Sequence, residues 1–230
     1  MITAHTHTDL VIFDLWKTLV PLTHEVKRRA FFETAIALKV DAEELAPVWA
    51  GTRVQRETGD LRRYLTGLGS LLGREWTDDD VTMAMAARRR NHITGFRDPL
   101  PDAEDCLRAL QDSGTKIGVV SNGSSDVVEM LNSSRLAPYV DVAVVSGVFG
   151  AMKPDPTIYE AVSRRLGISL NRSIYVGDGQ DFELEGAERA GCRSVLIERG
   201  SLTEWAGESI ESLESVPLLL GAEPITKEMR

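Results

Sequence analysis

Cysteine is scarce in this 230-residue chain, with Cys106 and Cys192 the whole complement. Two thiols cannot form a disulfide framework, and their spacing matches no zinc site, so neither device is expected to stabilise the fold. A reducing cytoplasm is the expected compartment. Long apolar runs are also missing. None reaches the roughly 20 residues that cross a bilayer. The opening MITAHTHTDL carries no apolar signal core, and its His5 and His7 read as tail residues rather than ligands. Positive charge is in deficit, with 26 Lys and Arg against 35 Asp and Glu for a net −9. That balance argues against a nucleic-acid surface. An anionic substrate stays open, because a few cations or a metal can dominate the field inside a cleft. The sequence shows no internal repeat and no low-complexity stretch. What remains is ordinary globular composition, 43% hydrophobic and 27% charged. The length suits one domain, or a domain carrying a sizeable insertion.

The apolar run Leu10-Val11-Ile12-Phe13 ends at Asp14 and predicts a buried strand. The chain then changes character from His24 to Phe96, with few glycines, no convincing strand and several amphipathic stretches. Leu45, Val48, Trp49 and Thr52 fall at helical spacing with Arg53 and Arg56 on the flank. Two more helices are predicted over 60–72 and 77–93, the second opened by Thr77-Asp78-Asp79-Asp80. Pro99 and Pro101 close the block. From there strands and helices alternate. Helices are predicted over 102–112, 124–134, 156–166 and 183–190, and strands over 117–120, 142–145, 174–176 and 194–197. This alternation predicts right-handed βαβ units and a parallel sheet with helices on both faces. After Gly200 a further helix is expected, and Ser215-Val216-Pro217-Leu218-Leu219 is ambiguous. The reading is an α/β core, residues 1–21 and 99–230, with an all-helical insertion at 22–98.

Ligands of open parallel sheets bind at the carboxyl ends of the strands, and polar residues stand just there. Asp14 and Thr18 follow the first strand, Ser121 and Asn122 the second, Lys153 a later one, and Asp178 the run Ile174-Tyr175-Val176-Gly177. Brought together, these supply the parts for phosphoryl transfer. A carboxylate attacks phosphorus, a hydroxyl and a lysine neutralise its oxygens, and a second carboxylate helps hold Mg²⁺.

Four segments carry a family resemblance that covers nearly the whole chain. VIFDLWKTLV resembles the first motif of the haloacid dehalogenase superfamily, VVSNG the second, AMKPDPTIYEA the third of its C1-cap branch, and YVGDGQDFELEGAERAG the fourth. The resemblance implies a Rossmann-like α/β core with a C1-type helical cap after the first strand. It implies Asp14 as nucleophile, Thr18, Ser121 and Asn122 at the phosphate, and Lys153 beside the nucleophile. It also implies Mg²⁺ on Asp14, Asp178 and the Trp16 main-chain carbonyl, with Glu183 acting from behind those ligands. The substrate expected is a small phosphorylated metabolite, handled without nucleic acid or membrane by a monomer or homodimer.

Two departures bear on mechanism. Phosphatases of the superfamily usually carry an aspartate two residues after the nucleophile, as acid for the leaving oxygen, and here Trp16 stands there. Lys17 follows where glycine is usual. Members that act as dehalogenases or phosphonatases also lack that aspartate, so 2-haloacid hydrolysis is the alternative, and a catalytically weak binding module a second. Gly177-Asp178 and Glu183 favour the metal-dependent phosphatase, since a metal-free dehalogenase has no use for them. In the last insertion helix Val81, Met85, Arg88 and His92 share a face. Arg88 and His92 are therefore candidates to look into the cleft, with His24 and His92 candidate surrogate acids. A solvated Arg88-Arg89-Arg90 run is the simpler reading of that stretch.

Overall fold

The computed structural model describes residues 8–200 and 203–221, so His5 and His7 lie outside the described residues. Within them, β1 (Leu10–Phe13), β2 (Lys116–Ser121), β3 (Val142–Val145), β4 (Ser173–Gly177), β5 (Arg193–Ile197) and β6 (Glu208–Ile210) form one parallel sheet in the order β3-β2-β1-β4-β5-β6. The order reverses around β1, which makes a crevice outside the carboxyl ends of β1, β2 and β4, where such sheets bind ligands.

Alternation along β1 shows how the sheet is sandwiched. Val11 and Phe13 enter one core with Leu107 and Leu110 of α6 (Ala103–Asp112) and Met130 of α7 (Val127–Asn132). Leu10 and Ile12 enter the opposite core with Ile158 and Val162 of α9 (Pro156–Leu166) and Leu184 of α10 (Glu183–Ala190). The chain is thus α/β with helices on both faces.

Between β1 and α6 the chain leaves the sheet as α1 (His24–Ala37), α2 (Ala42–Gly51), α3 (Arg53–Glu57), α4 (Leu61–Leu71) and α5 (Asp78–Arg97). These have their own core, built from Leu38, Leu45, Leu61, Leu65, Leu68 and Val81. Thr77 caps α5 through a reciprocal box with Asp80, the arrangement that satisfies two otherwise orphaned N–H donors.

Several predicted elements change on folding. The 124–134 helix shrinks to Val127–Asn132, because the residues before it form a turn. A short α8 (Ser146–Phe149) follows β3 without a sequence signal long enough to read. No α-helix follows Gly200 among the described residues. Instead β6 pairs with the outer edge of β5, and Leu213–Leu219 winds as a 3-10 helix containing Pro217. The strand is held from outside its own sequence. Arg193 donates from Nε and Nη2 to the two oxygens of Glu208, both at 2.9 Å. Edge pairing and a tertiary ion pair decide a three-residue strand that local propensity cannot.

Candidate active site

The segment after β1 is a tight turn. The Asp14 N–H donates to the Val176 carbonyl at 2.9 Å, and the Lys17 N–H to the Val20 carbonyl at 2.6 Å. Lys17 takes φ 64°, a left-handed conformation that suits glycine and costs an L-residue about 1 kcal/mol. The turn returns Thr18 beneath Asp14, and its hydroxyl donates to Asp14 Oδ2 at 3.0 Å.

Lys153 approaches from the other side. Its ammonium donates to Asp14 Oδ1 and to Glu183 Oε2, each at 2.5 Å, and to the Tyr175 hydroxyl at 3.1 Å. Burial alone would discharge this lysine, but the Asp14 and Glu183 carboxylates outweigh it and hold its pKa above the usual lysine range. Glu183 is fastened at both oxygens. Oε1 accepts from the Gly179 N–H at 2.9 Å and Oε2 also accepts from Tyr175 at 2.7 Å. Gly177 makes room for it, since a Cβ there would sit 2.2 Å from Glu183 Oε1. Burial keeps the Tyr175 phenol protonated, well above its ordinary pKa.

Asp178 completes a buried acidic cluster in which one oxygen each from Asp14, Asp178 and Glu183 lie within 4.8 Å of one another. Asp178 Oδ1 accepts from the Gln180 N–H at 3.2 Å, while Oδ2 is buried without a hydrogen-bond partner. Lys17 Nζ stands 3.7 Å from that oxygen. Burial first, then the Asp14 charge, raise the Asp178 pKa, and burial likewise raises Glu183. Three carboxylates thus converge on one buried lysine, with Lys17 at the Asp178 side. Oxygen donors in this arrangement suit a hard divalent ion.

Ser121 and Asn122 follow β2 at the same edge of the sheet. Ser121 ends β2 fully buried, its hydroxyl making only a long 3.5 Å approach to the Asn122 carbonyl. Asn122 is a brace. Its Oδ1 accepts from the Lys153 N–H at 2.7 Å, and its Nδ2 donates to the Lys153 carbonyl at 3.1 Å and to Asp181 at 3.0 Å. Asp181 and Arg53 had no sequence signal as a pair, being 128 residues apart, yet Arg53 grips both Asp181 oxygens at 2.8 and 2.5 Å. The Arg53 guanidinium holds Asp181 down to a pKa of about 2.

A cleft of about 380 Å³ opens above this floor, with Trp16, Lys17, Lys27, Phe31, Trp49, Arg56, Arg88 and His92 on its walls. Trp16 packs edge-on against Phe96 and His92, with ring centroids 5.2 and 5.7 Å away, so it joins the turn after β1 to α5. His92 Nδ1 lies 2.8 Å from the Arg88 carbonyl. That oxygen only accepts, so Nδ1 carries the proton and Nε2 is left as an acceptor. Burial and then the Arg88 charge push the His92 pKa down to about 4, which keeps it neutral. His24 is exposed at the start of α1 and is not among the cleft-lining residues.

The site thus sets an aspartate at the crossover of a doubly wound parallel sheet, backed by a buried lysine and a second acid, where such sheets bind ligands. The chain belongs to the haloacid dehalogenase-like hydrolases, whose family description it matches over residues 8–191. It is 32% identical to a glyceraldehyde 3-phosphate phosphatase of Methanopyrus kandleri over 83% of this chain and 84% of that protein. It is 26% identical to an (S)-2-haloacid dehalogenase 4A of Burkholderia cepacia, covering 82% of each. A solved HAD phosphatase of Thermococcus onnurineus superposes with a TM-score of 0.67 at 21% identity, covering 95% of this chain and all of that one, and shares the fold. No helix among the described residues is long and apolar enough to cross a membrane.

Proposed function

We propose that this hydrolase is an Mg²⁺-dependent phosphatase of small phosphorylated metabolites that forms an aspartyl-phosphate on Asp14. The observation that carries the reading is the buried Asp14–Asp178–Glu183 cluster, in which one Asp178 oxygen accepts no hydrogen bond and has only Lys17 nearby at 3.7 Å. Asp14, Asp178 and the Trp16 main-chain carbonyl would hold the ion, with Glu183, already fastened to Lys153 and Gly179, acting from behind them. The bound ion supplies charge neutralisation at the phosphoryl oxygens.

The chain's own groups supply the rest. Thr18 and Lys153 fix the Asp14 carboxylate from two sides, which orients one oxygen for in-line attack on phosphorus. The P–O bond to the leaving group breaks as the aspartyl P–O bond forms, and water then attacks the aspartyl-phosphate to release phosphate. Lys153 offsets negative charge that develops on the transferring group, and Ser121 and Asn122 would bind its phosphoryl oxygens. The helices of residues 22–98 act as a cap over the core of residues 1–21 and 99–230 and exclude water. The cleft volume suits a metabolite rather than a protein, and neither nucleic acid nor membrane enters the scheme. The two buried free cysteines support a cytoplasmic enzyme, as a monomer or homodimer.

The second reading is 2-haloacid hydrolysis, favoured by Trp16 in place of the acid and by the Burkholderia relative. It leaves the buried Asp14–Asp178–Glu183 cluster with no ion to hold. A phosphate-release screen over sugar, nucleoside and acid phosphates with Mg²⁺, beside a halide-release assay on 2-haloacids, tests the proposal. Phosphate release from at least one metabolite supports it, and halide release alone refutes it.

A further inference from the structure

Lys17 brings a second ammonium to the acidic cluster, and it is held differently from the first. Lys153 is 3% exposed and locked against Asp14 and Glu183. Lys17 keeps 36% of its side chain exposed and meets a single oxygen, Asp178 Oδ2, at 3.7 Å, too far for a hydrogen bond. That oxygen is buried and accepts no hydrogen bond, while Oδ1 is taken by the Gln180 N–H. The ammonium therefore stands against the Asp178 oxygen left for a bound ion, charge-paired but not fixed. Among the described residues Lys17 forms no other ion pair. The turn that delivers it is equally particular. Lys17 takes φ 64°, a conformation that glycine reaches freely and a lysine only under constraint. Glycine would close the same turn and bring no charge.

We propose that Lys17 is a built-in competitor for the divalent ion at Asp178: its ammonium stands in for the ion in the free protein and swings out to water when the ion arrives. This rests on the Asp14–Asp178 cluster being the metal site. The observed affinity is then lowered by the fraction of molecules whose lysine still covers the oxygen, and the displaced ammonium continues to oppose a doubly charged neighbour. Lys17 thus keeps the site from being permanently loaded and makes its occupancy follow the free Mg²⁺ concentration. An ion pair with one partner partly in water is weak, so the effect is a few-fold change in affinity rather than a block.

The test measures the metal alone, on chelator-stripped protein in about 0.15 M salt, which screens distant charges. Electron paramagnetic resonance counts free Mn²⁺, and Mg²⁺ is titrated in competition with it. Lys17→Met removes the charge and keeps the length, and is expected to bind both ions at least about threefold tighter than the wild type. Lys17→Gly is expected to do the same, and decides if Lys17→Met lacks a native melting transition. Lys17→Arg keeps the charge and should stay nearer the wild type than the Met variant. Lys27→Met controls for the general field: Lys27 lines the same cleft and feels Asp178 only through space, so its loss should tighten binding less. Smaller tightening in the Lys17 variants overturns the proposal, as does equal tightening in Lys27→Met. Tightening in Lys17→Gly beside a folded but unaltered Lys17→Met also overturns it, by assigning the effect to the backbone. Binding that survives Asp178→Asn places the ion elsewhere and has the same consequence. If neither wild type nor variants bind either ion, the proposal and the metal reading fall together. Equal binding by wild type and variants leaves the metal reading standing without the lysine. Tighter binding by the Lys17 variants of a protein that releases phosphate from no metabolite removes the phosphatase and leaves the lysine standing.

Discussion

Arg53 and Asp181 join the helical insertion to the core through two parallel hydrogen bonds of 2.8 and 2.5 Å. Asp181 stands three residues after Asp178 and is also held by Asn122, so one carboxylate ties α3, the loop after β2 and the loop after β4 together. It does so at φ 57°, with Phe182 at 54° beside it, a pair of left-handed residues that persist only because their surroundings fix them.

The ion pair should govern where the cap sits more than whether the chain folds. Arg53 is 44% exposed and Asp181 29%, so loss of the pair is expected to cost no more than about 1 kcal/mol and to shift Tm by about 2–4 °C. Arg53→Met should instead speed amide exchange in α3 and raise KM. The Asp181 pKa is lowered to about 2, so the contribution is complete above the ordinary carboxylate range and is lost as pH falls from about 4 through 2. Unchanged exchange in α3 would show that the pair does not restrain the cap.

Lys153 and Lys17 should separate sharply. Removing Lys153 leaves the Asp14 and Glu183 carboxylates buried and unpaired, a change that typically costs about 3–5 kcal/mol, and turnover is expected to vanish in Lys153→Ala. Lys17→Gly relieves a left-handed residue and is expected to raise stability by about 1 kcal/mol, with a smaller fall in rate than at Lys153. If Lys17 is the more damaging loss, the cation at the site has been misassigned.

His92 should reveal itself by pH. Its folded pKa of about 4 lies below the ordinary 6.5, so the unfolded chain takes up the proton first. Stability is therefore full above about 6.5 and declines as pH falls toward 4, by at most about 3 kcal/mol. Denaturant titrations of the wild type and His92→Gln across that range measure it, and parallel curves would contradict the assignment.

A neutral His92 that keeps its proton on Nδ1 is a poor donor to a leaving group, and Trp16 supplies none. A leaving-group series is expected to show steep dependence, with aryl phosphates faster than alkyl phosphates by a large part of the about hundredfold to ten-thousandfold that general acid catalysis contributes. Trp16→Asp should flatten the series at a stability cost of about 2–3 kcal/mol from the lost packing on Phe96. A flat wild-type series, unchanged by loss of His24 or His92, would refute the idea.

The core was legible because each strand of a parallel sheet is buried on both faces and reads as an apolar run, and because Asp14, Ser121 and Asp178 stand just past such runs. What the sequence hid depends on folding at long range. Tyr175 reads as one more apolar residue of β4, and only the fold sets its hydroxyl against Lys153 and Glu183. Asn122 shows in sequence only as a polar residue past a strand, and only the fold gives its three hydrogen bonds to Lys153 and Asp181. The partners Arg53 and Asp181, or Arg88 and Ser124, share no local pattern. β6 escaped for the same reason, its register being set by Arg193 and the edge of β5.

The most direct measurement is product release with and without chelator, in wild type and Asp14→Asn, on the metabolite the screen selects and on a 2-haloacid. Phosphate release from the wild type is expected to stop on chelation and return with Mg²⁺. The near-isosteric Asp14→Asn should fold normally and release none, and neither protein should release halide. Halide release indifferent to chelator, or an Asp14→Asn variant that keeps most of the wild-type rate, would contradict the metal-assisted aspartate mechanism.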